Sequence, residues 1–195
     1  MQKNTWFNTS ILAAFTVNTV MICILTLWTI DDRHTLKVVQ VDVQELKHRI
    51  EMEIKLRQEI LPQIKKSAEQ LSRSNPDLDP YTALSYAIKI WQCSDDVITS
   101  DLLTALIVVE SGADQKAVSP HGALGLMQIM PGHWSYENKE LRDPYTNIEA
   151  GATILRYYIK RHGLIGGLRA YNCGTPAGAT VEYAKKVLQM AQSQF

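Results

Sequence analysis

A chain of 195 residues has room for one domain of about 100 to 150 residues plus accessory segments. Its 20 basic and 20 acidic residues cancel, and the cancellation is local. Asp31 to Pro76 holds nine basic and eight acidic residues and Asp77 to Phe195 ten and twelve, so no segment has the basic excess of a nucleic-acid-binding protein.

The first predicted element is the uncharged run from Ser10 to Ile30, about twenty residues long and sufficient to cross a bilayer as a helix. Trp6 and Trp28 stand near its two ends, where interfacial aromatics gather. A cleavable signal would have a shorter apolar region and a small-residue cleavage site, and neither precedes Asp31 and Asp32. Residues 1–31 are therefore expected to be an uncleaved membrane anchor. Lys3 alone precedes the span while Arg33, Lys37, Lys47 and Arg49 follow it, so basic residues do not set its orientation.

Residues 32–75 read as a helical stalk. Apolar side chains recur at Val39, Val43, Leu46, Ile50, Ile54, Leu61, Ile64, Ala68 and Leu71, mostly in steps of three and four. Glu45 with Arg49, and Glu51 with Lys55, supply pairs one turn apart. Pro62 removes an internal hydrogen bond and predicts a break near Ile60. The 35–71 seam suits a parallel coiled coil that joins copies of the chain or engages a larger assembly, and it suits equally a single amphipathic helix lying on its own domain or the membrane.

The Asn75, Pro76, Asp77 and Pro80 cluster predicts a boundary, with a domain over 76–195. Within it, Tyr81 to Trp91 should form an amphipathic helix burying Leu84, Ala87, Ile88 and Trp91. Ser100 should cap a second helix whose Leu102 to Val109 stretch is apolar on every side, as in a core. That helix carries Glu110 on its last turn, with Gly112 as the stop. Unpaired carbonyls, the negative end of the helix dipole and burial against Val108 and Val109 should all raise the Glu110 pKa. A carboxylic acid protonated near neutral pH is what general-acid cleavage of an acetal needs. Thr146 or Asn147 should cap a further helix to about Arg161, and Leu164 to Ala170 and Thr180 to Gln192 two more. Strand signals are confined to Val118 to Ile129.

Three ordered motifs now stand out: Glu110-Ser111, AVSPHGALGLMQIMP from Ala117 to Pro131, and AYN from Ala170 to Asn172. Together they resemble the soluble-lytic-transglycosylase family of the lysozyme superfamily, over roughly Asp77 to Tyr183. The resemblance implies a mainly α, lysozyme-like α+β domain with at most a small sheet or hairpin, here preceded by a transmembrane helix and a stalk. It implies cleavage of the MurNAc–GlcNAc bond of peptidoglycan, with Glu110 as acid and base and no metal or other cofactor. Ser111, Gln128, Tyr171 and Asn172 are the substrate-binding residues implied. Tyr171 would steady a charged intermediate or hold the Glu110 carboxyl. Gly122 and Gly125 would let backbone approach a sugar.

Glycoside hydrolysis usually requires two carboxylates, and Asp114 is the nearest second acid. The resemblance implies another route, in which the substrate's own C6 hydroxyl closes a 1,6-anhydro ring and no water is consumed. A hydrolytic muramidase on the same fold and a wall-binding module of an envelope-spanning assembly are the alternatives. A peptidoglycan substrate would place the domain on the periplasmic side of the cytoplasmic membrane, in a wall-turnover, secretion or conjugation system, or in a phage particle. His121 and His133 have no metal-site spacing. Cys23, Cys93 and Cys173 are too few and too scattered for a disulfide framework; Cys93 and Cys173, the only candidate pair, are open to a bridge in an oxidising compartment and are otherwise expected to be small buried side chains.

Overall fold

The computed structural model describes residues 19–24, 26, 33–132, 134–178 and 180–193. The expected span from Ser10 to Ile30 lies largely outside the described residues; 19–24 and 26 are helical and exposed. Among the described residues no helix is long and apolar enough to cross a membrane.

The chain divides into two units, residues 1–55 and 56–195. The first holds α1 (Arg33–Lys55), 23 residues and about 35 Å long at the usual rise per residue. Val41, Leu46, Ile50 and Ile54 are all about half exposed along it. Arg49 reaches Glu45 at 2.5 Å, one of the expected pairs.

The second unit opens with a π-helical turn, Leu56–Ile60, followed by α2 (Leu61–Ser74). The wider turn lies where Pro62 predicts a break: a proline ring clashes with the carbonyl four residues back and donates nothing to it. Gln63 Nε2 donates instead to the Glu59 carbonyl at 2.9 Å. Beyond the break the helix is not a free stalk. Ile64, Ser67, Gln70 and Leu71 are buried, and Gln70 Nε2 reaches the Met190 carbonyl at 3.3 Å. The compact unit thus begins near Leu56 rather than at residue 76, and the Asn-Pro-Asp cluster is a tight turn inside it. The Asn75 N–H closes onto Leu71, Leu78 N–H onto Asn75, and the Asn75 side chain donates to Ala113.

Helix α3 (Pro80–Cys93) starts at Asp79, whose carboxylate accepts the Thr82 N–H. Its buried face is Ala83, Tyr86, Ala87 and Ile90, one position away from the expected one, and Leu84 and Ile88 are exposed. Tyr86 takes the core position because its hydroxyl finds Gln115. Helix α4 (Ser100–Ser111) follows, capped by Thr99 rather than Ser100. Leu102, Leu103, Ala105, Leu106 and Ile107 are buried on all faces. Thr104, the one polar residue among them, donates to Ser67 Oγ of α2 or to the Ser100 carbonyl, both within 2.9 Å.

After α4 comes a compact loop of two isolated antiparallel bridges, Val118 with Leu124 and Leu124 with Ile129; among the described residues there is no strand. Short α5 (Asn138–Leu141), long α6 (Pro144–Cys173) and α7 (Val181–Gln192) complete the unit. Helix α6 is capped by Asp143, not by Thr146 or Asn147: an aspartate before proline outranks both, since proline suits the first helical turn. Gly163 is non-helical (φ 67°, ψ 175°) and divides α6 into two limbs at a kink, so the helices expected to about Arg161 and from Leu164 meet there.

Asn147 does different work. Fully buried, it donates to the Leu124 and Leu141 carbonyls at 2.9 Å and accepts the Met127 N–H at 2.8 Å. These bonds pin the loop to α6. Gly125 (φ 72°) is required there, because a Cβ would lie 2.6 Å from the Asn147 amide.

Candidate active site

A cleft of about 460 Å3 runs between the compact loop and the helices α4 and α6. Glu110, Ser119, His121, Gln128, Trp134, Tyr158, Tyr171 and Asn172 are among its lining residues. Among the described residues Glu110 is the only carboxylic acid in the lining. It stands on the last turn of α4, which ends in left-handed Gly112 (φ 61°).

Burial pushes the Glu110 carboxyl above the ordinary carboxylate range, opposed by a hydrogen bond from Tyr183 and by the charge of Lys186. The Tyr183 hydroxyl donates to Glu110 Oε1. One carboxyl oxygen is therefore held from α7, and the other is left for chemistry. Burial and the facing carboxyl raise the Tyr183 phenol in turn, so it stays a donor.

Four of the five expected site residues, Glu110, Gln128, Tyr171 and Asn172, come together in the cleft. Ser111 does not line it. Its hydroxyl is committed to the carbonyls of Leu126 at 2.8 Å and Ile107 at 3.1 Å, fastening the helix end to the loop. Gln128, in the left-handed region at φ 48°, donates from Nε2 to Gly125 at 2.9 Å and Ala117 at 3.3 Å. Its amide hydrogens thus brace the loop, and its oxygen remains as an acceptor. The Tyr171 hydroxyl donates to the Met127 carbonyl at 2.8 Å rather than to Glu110. Holding the carboxyl, one of the two roles expected of Tyr171, belongs to Tyr183.

Asp114 is exposed, outside the cleft lining, and accepts the Lys116 N–H at 2.8 Å. His121 is exposed at the cleft, and His133 lies outside the described residues. Cys93 and Cys173 are both free thiols, and Cys173, expected to be buried, is exposed at the cleft. Among the described residues no three His, Cys, Asp or Glu side chains converge as a metal set.

Tyr183, Ser119, Trp134 and Tyr158 were not singled out from the sequence. The signal for Tyr183 lay in the pattern of α7: its inner face carries Ala184 and Val187, and a tyrosine beside them needs a partner for its hydroxyl. Ser119 accepts the Ala123 N–H at 2.9 Å, a loop contact that spacing alone does not reveal.

A helical domain that delivers one half-buried carboxylic acid into an open cleft, held by a tyrosine from a distant helix, has the arrangement that general-acid chemistry needs. Residues 87–192 match the family model described as Transglycosylase SLT domain, and the chain belongs to that family. It is 30% identical over 113 residues to an endo-type membrane-bound lytic murein transglycosylase A of Klebsiella pneumoniae, a match covering 49% of this chain and 55% of that protein. It is 40% identical over 78 residues to the soluble lytic murein transglycosylase of Escherichia coli K12, covering 33% of this chain and 12% of that one. A transglycosylase of enterobacteria phage PRD1 is 34% identical over 94 residues, covering 45% and 36%. The chain thus spans about half the length of the Klebsiella relative it matches.

Proposed function

We propose that this chain is a membrane-anchored peptidoglycan lytic transglycosylase that cleaves the MurNAc–GlcNAc β-1,4 bond and leaves 1,6-anhydro-MurNAc ends. The observation that carries the reading is the solitary acid: Glu110 is half-buried, raised in pKa and hydrogen-bonded by Tyr183, while the nearest second carboxylate in sequence, Asp114, lies outside the cleft. In the first step protonated Glu110 gives its proton to the glycosidic oxygen, and the bond from that oxygen to the muramyl anomeric carbon breaks. The neighbouring N-acetyl oxygen of the substrate attacks that carbon and holds the developing charge.

In the second step the Glu110 carboxylate takes the proton of the C6 hydroxyl. The C6 oxygen bonds to the anomeric carbon, the N-acetyl group is released, and Glu110 is protonated again. No water enters the balance, so one carboxylate serves both steps. Gln128 Oε1 and Asn172 supply polar contacts for the sugar, and Tyr171 steadies the intermediate. A hydrolytic muramidase usually carries a second acid to activate water, and a wall-binding module has no use for a protonated one.

The anchor is the Ser10 to Ile30 run, with the domain on the periplasmic side and the N-terminus in the cytoplasm. Support comes from the uncharged length of that run and from the membrane-bound designation of the Klebsiella relative. The test is digestion of purified peptidoglycan followed by mass spectrometry: fragments should be lighter by one water than hydrolytic products. Reducing ends in their place would establish the muramidase, and no cleavage at all would favour the binding module. Protease added to spheroplasts should digest the domain, and full protection would overturn the topology.

A further inference from the structure

The aromatic wall of the cleft continues past its rim. Trp134 and Tyr158 line the cleft, and Tyr157, 45% exposed, packs edge-on against both rings at 5.5 Å between centroids. One turn further along α6, Arg161 lies over the Tyr157 ring, 5.4 Å from its centroid. His162 stacks on Tyr158 at 6.4 Å. Three rings thus form a continuous path from the cleft to an exposed guanidinium.

Several cations of this unit are already neutralised within it. Arg156, a turn and a half earlier, is tied to Asp95 at 2.6 Å, Lys89 to Glu149 at 2.5 Å and Lys66 to Asp101 at 2.8 Å. Among the described residues Arg161 makes no salt bridge. Lys160 and His162 beside it are also exposed. Lying over an aromatic face holds a guanidinium in place while its N–H edges stay free, a preformed fork for a carboxylate that its own chain does not supply.

On a peptidoglycan strand the sugar rings are neutral and suit aromatic faces; the carboxylates sit on the peptide that each muramyl residue carries through its lactyl ether. We infer that the Tyr157–Arg161 ledge docks the carboxylate-bearing peptide stem of the muramyl residue at this end of the cleft. The inference rests on the transglycosylase reading for the identity of the anion. Through this contact the enzyme distinguishes peptide-bearing strands from strands already stripped by an amidase.

The experiment uses the full chain in detergent, made catalytically silent by Glu110→Gln, with and without Arg161→Glu. Co-sedimentation is measured with intact peptidoglycan and with the same material stripped of peptides by an amidase. The parent should prefer intact material, and Arg161→Glu should weaken that binding about three- to tenfold, the range of one partly solvated charge-assisted contact. Binding to stripped strands should stay within about twofold, and Arg161→Lys should restore part of the preference, since it keeps the charge and loses the fork. Equal weakening on both substrates, no weakening on either, or no preference in the parent would overturn the proposal. Anhydro ends released by the active chain are scored separately. A peptide preference without anhydro products would therefore sink the transglycosylase reading alone, and anhydro products without a preference would sink the stem site alone.

Discussion

The two walls of the cleft differ in how far apart in sequence their parts lie. One wall runs continuously from the end of α4 through the compact loop, so Glu110, Ser119, Ala123 and Gln128 fall within nineteen residues. The other is formed by the far limb of α6, where Tyr171 and Asn172 come 61 and 62 residues beyond the acid, and behind the acid stands Tyr183 of α7, 73 residues beyond it. The first wall supplies the proton. Tyr183 sets how strongly that proton is held, and comparing near and far parts separates what makes the acid from what tunes it.

The largest effect should come from removing the proton. Glu110→Gln keeps the shape and an acceptor for Tyr183, and cleavage should fall by about a hundred- to ten-thousandfold, measured as product release from purified peptidoglycan. Next is the joint between loop and helix. Asn147→Ala leaves two carbonyls and one N–H unpaired in a dry interior, and the native state should lose about 2 to 5 kcal/mol in a denaturant titration. An unchanged midpoint would show that the loop holds itself.

Tyr183→Phe touches only the residue behind the acid. It removes the hydrogen bond that holds the Glu110 pKa down, so the alkaline limb of the kcat/KM profile should move to higher pH. Activity at neutral pH should fall by about tenfold, the size of one hydrogen bond to a charged acceptor. A profile that keeps its position would leave Tyr183 a packing residue.

Burial of Glu110 also carries a cost in stability. Its pKa is raised by folding, so the native state is penalised only above the ordinary carboxylate range, where the unfolded chain would ionise it freely. Glu110→Gln should therefore raise Tm at neutral pH and lose that advantage as pH falls below that range, when both states are protonated. The smallest effect belongs to Asp114→Asn, within about twofold in activity, because this exposed carboxylate lies outside the cleft lining.

The same contrast explains what could be seen in the sequence. Helix α4 was legible because a run apolar on every side has one physical solution, a buried helix, and Gly112 marks its end. The break near Ile60 was legible because proline is unambiguous. Helix α2 was not: its seam continues that of α1, and periodicity cannot say whether an apolar stripe meets a second copy or its own domain. Only the buried Ser67 and Gln70, paired with Thr104 and Met190, reveal the answer, and those contacts span 37 and 120 residues. Tyr183 was missed for the same reason. The pattern of α7 marks it as a tyrosine in need of a partner, but that partner is 73 residues away and periodicity does not name it.

The central claim is that one carboxyl, Glu110, serves both steps and that the substrate's own hydroxyl replaces water. Cleavage in water enriched in heavy oxygen tests this most directly. The account predicts that the new muramyl ends carry no label and are one water lighter than hydrolytic ends. Label incorporated into a reducing end would contradict it, because water rather than the C6 hydroxyl must then have reached the anomeric carbon.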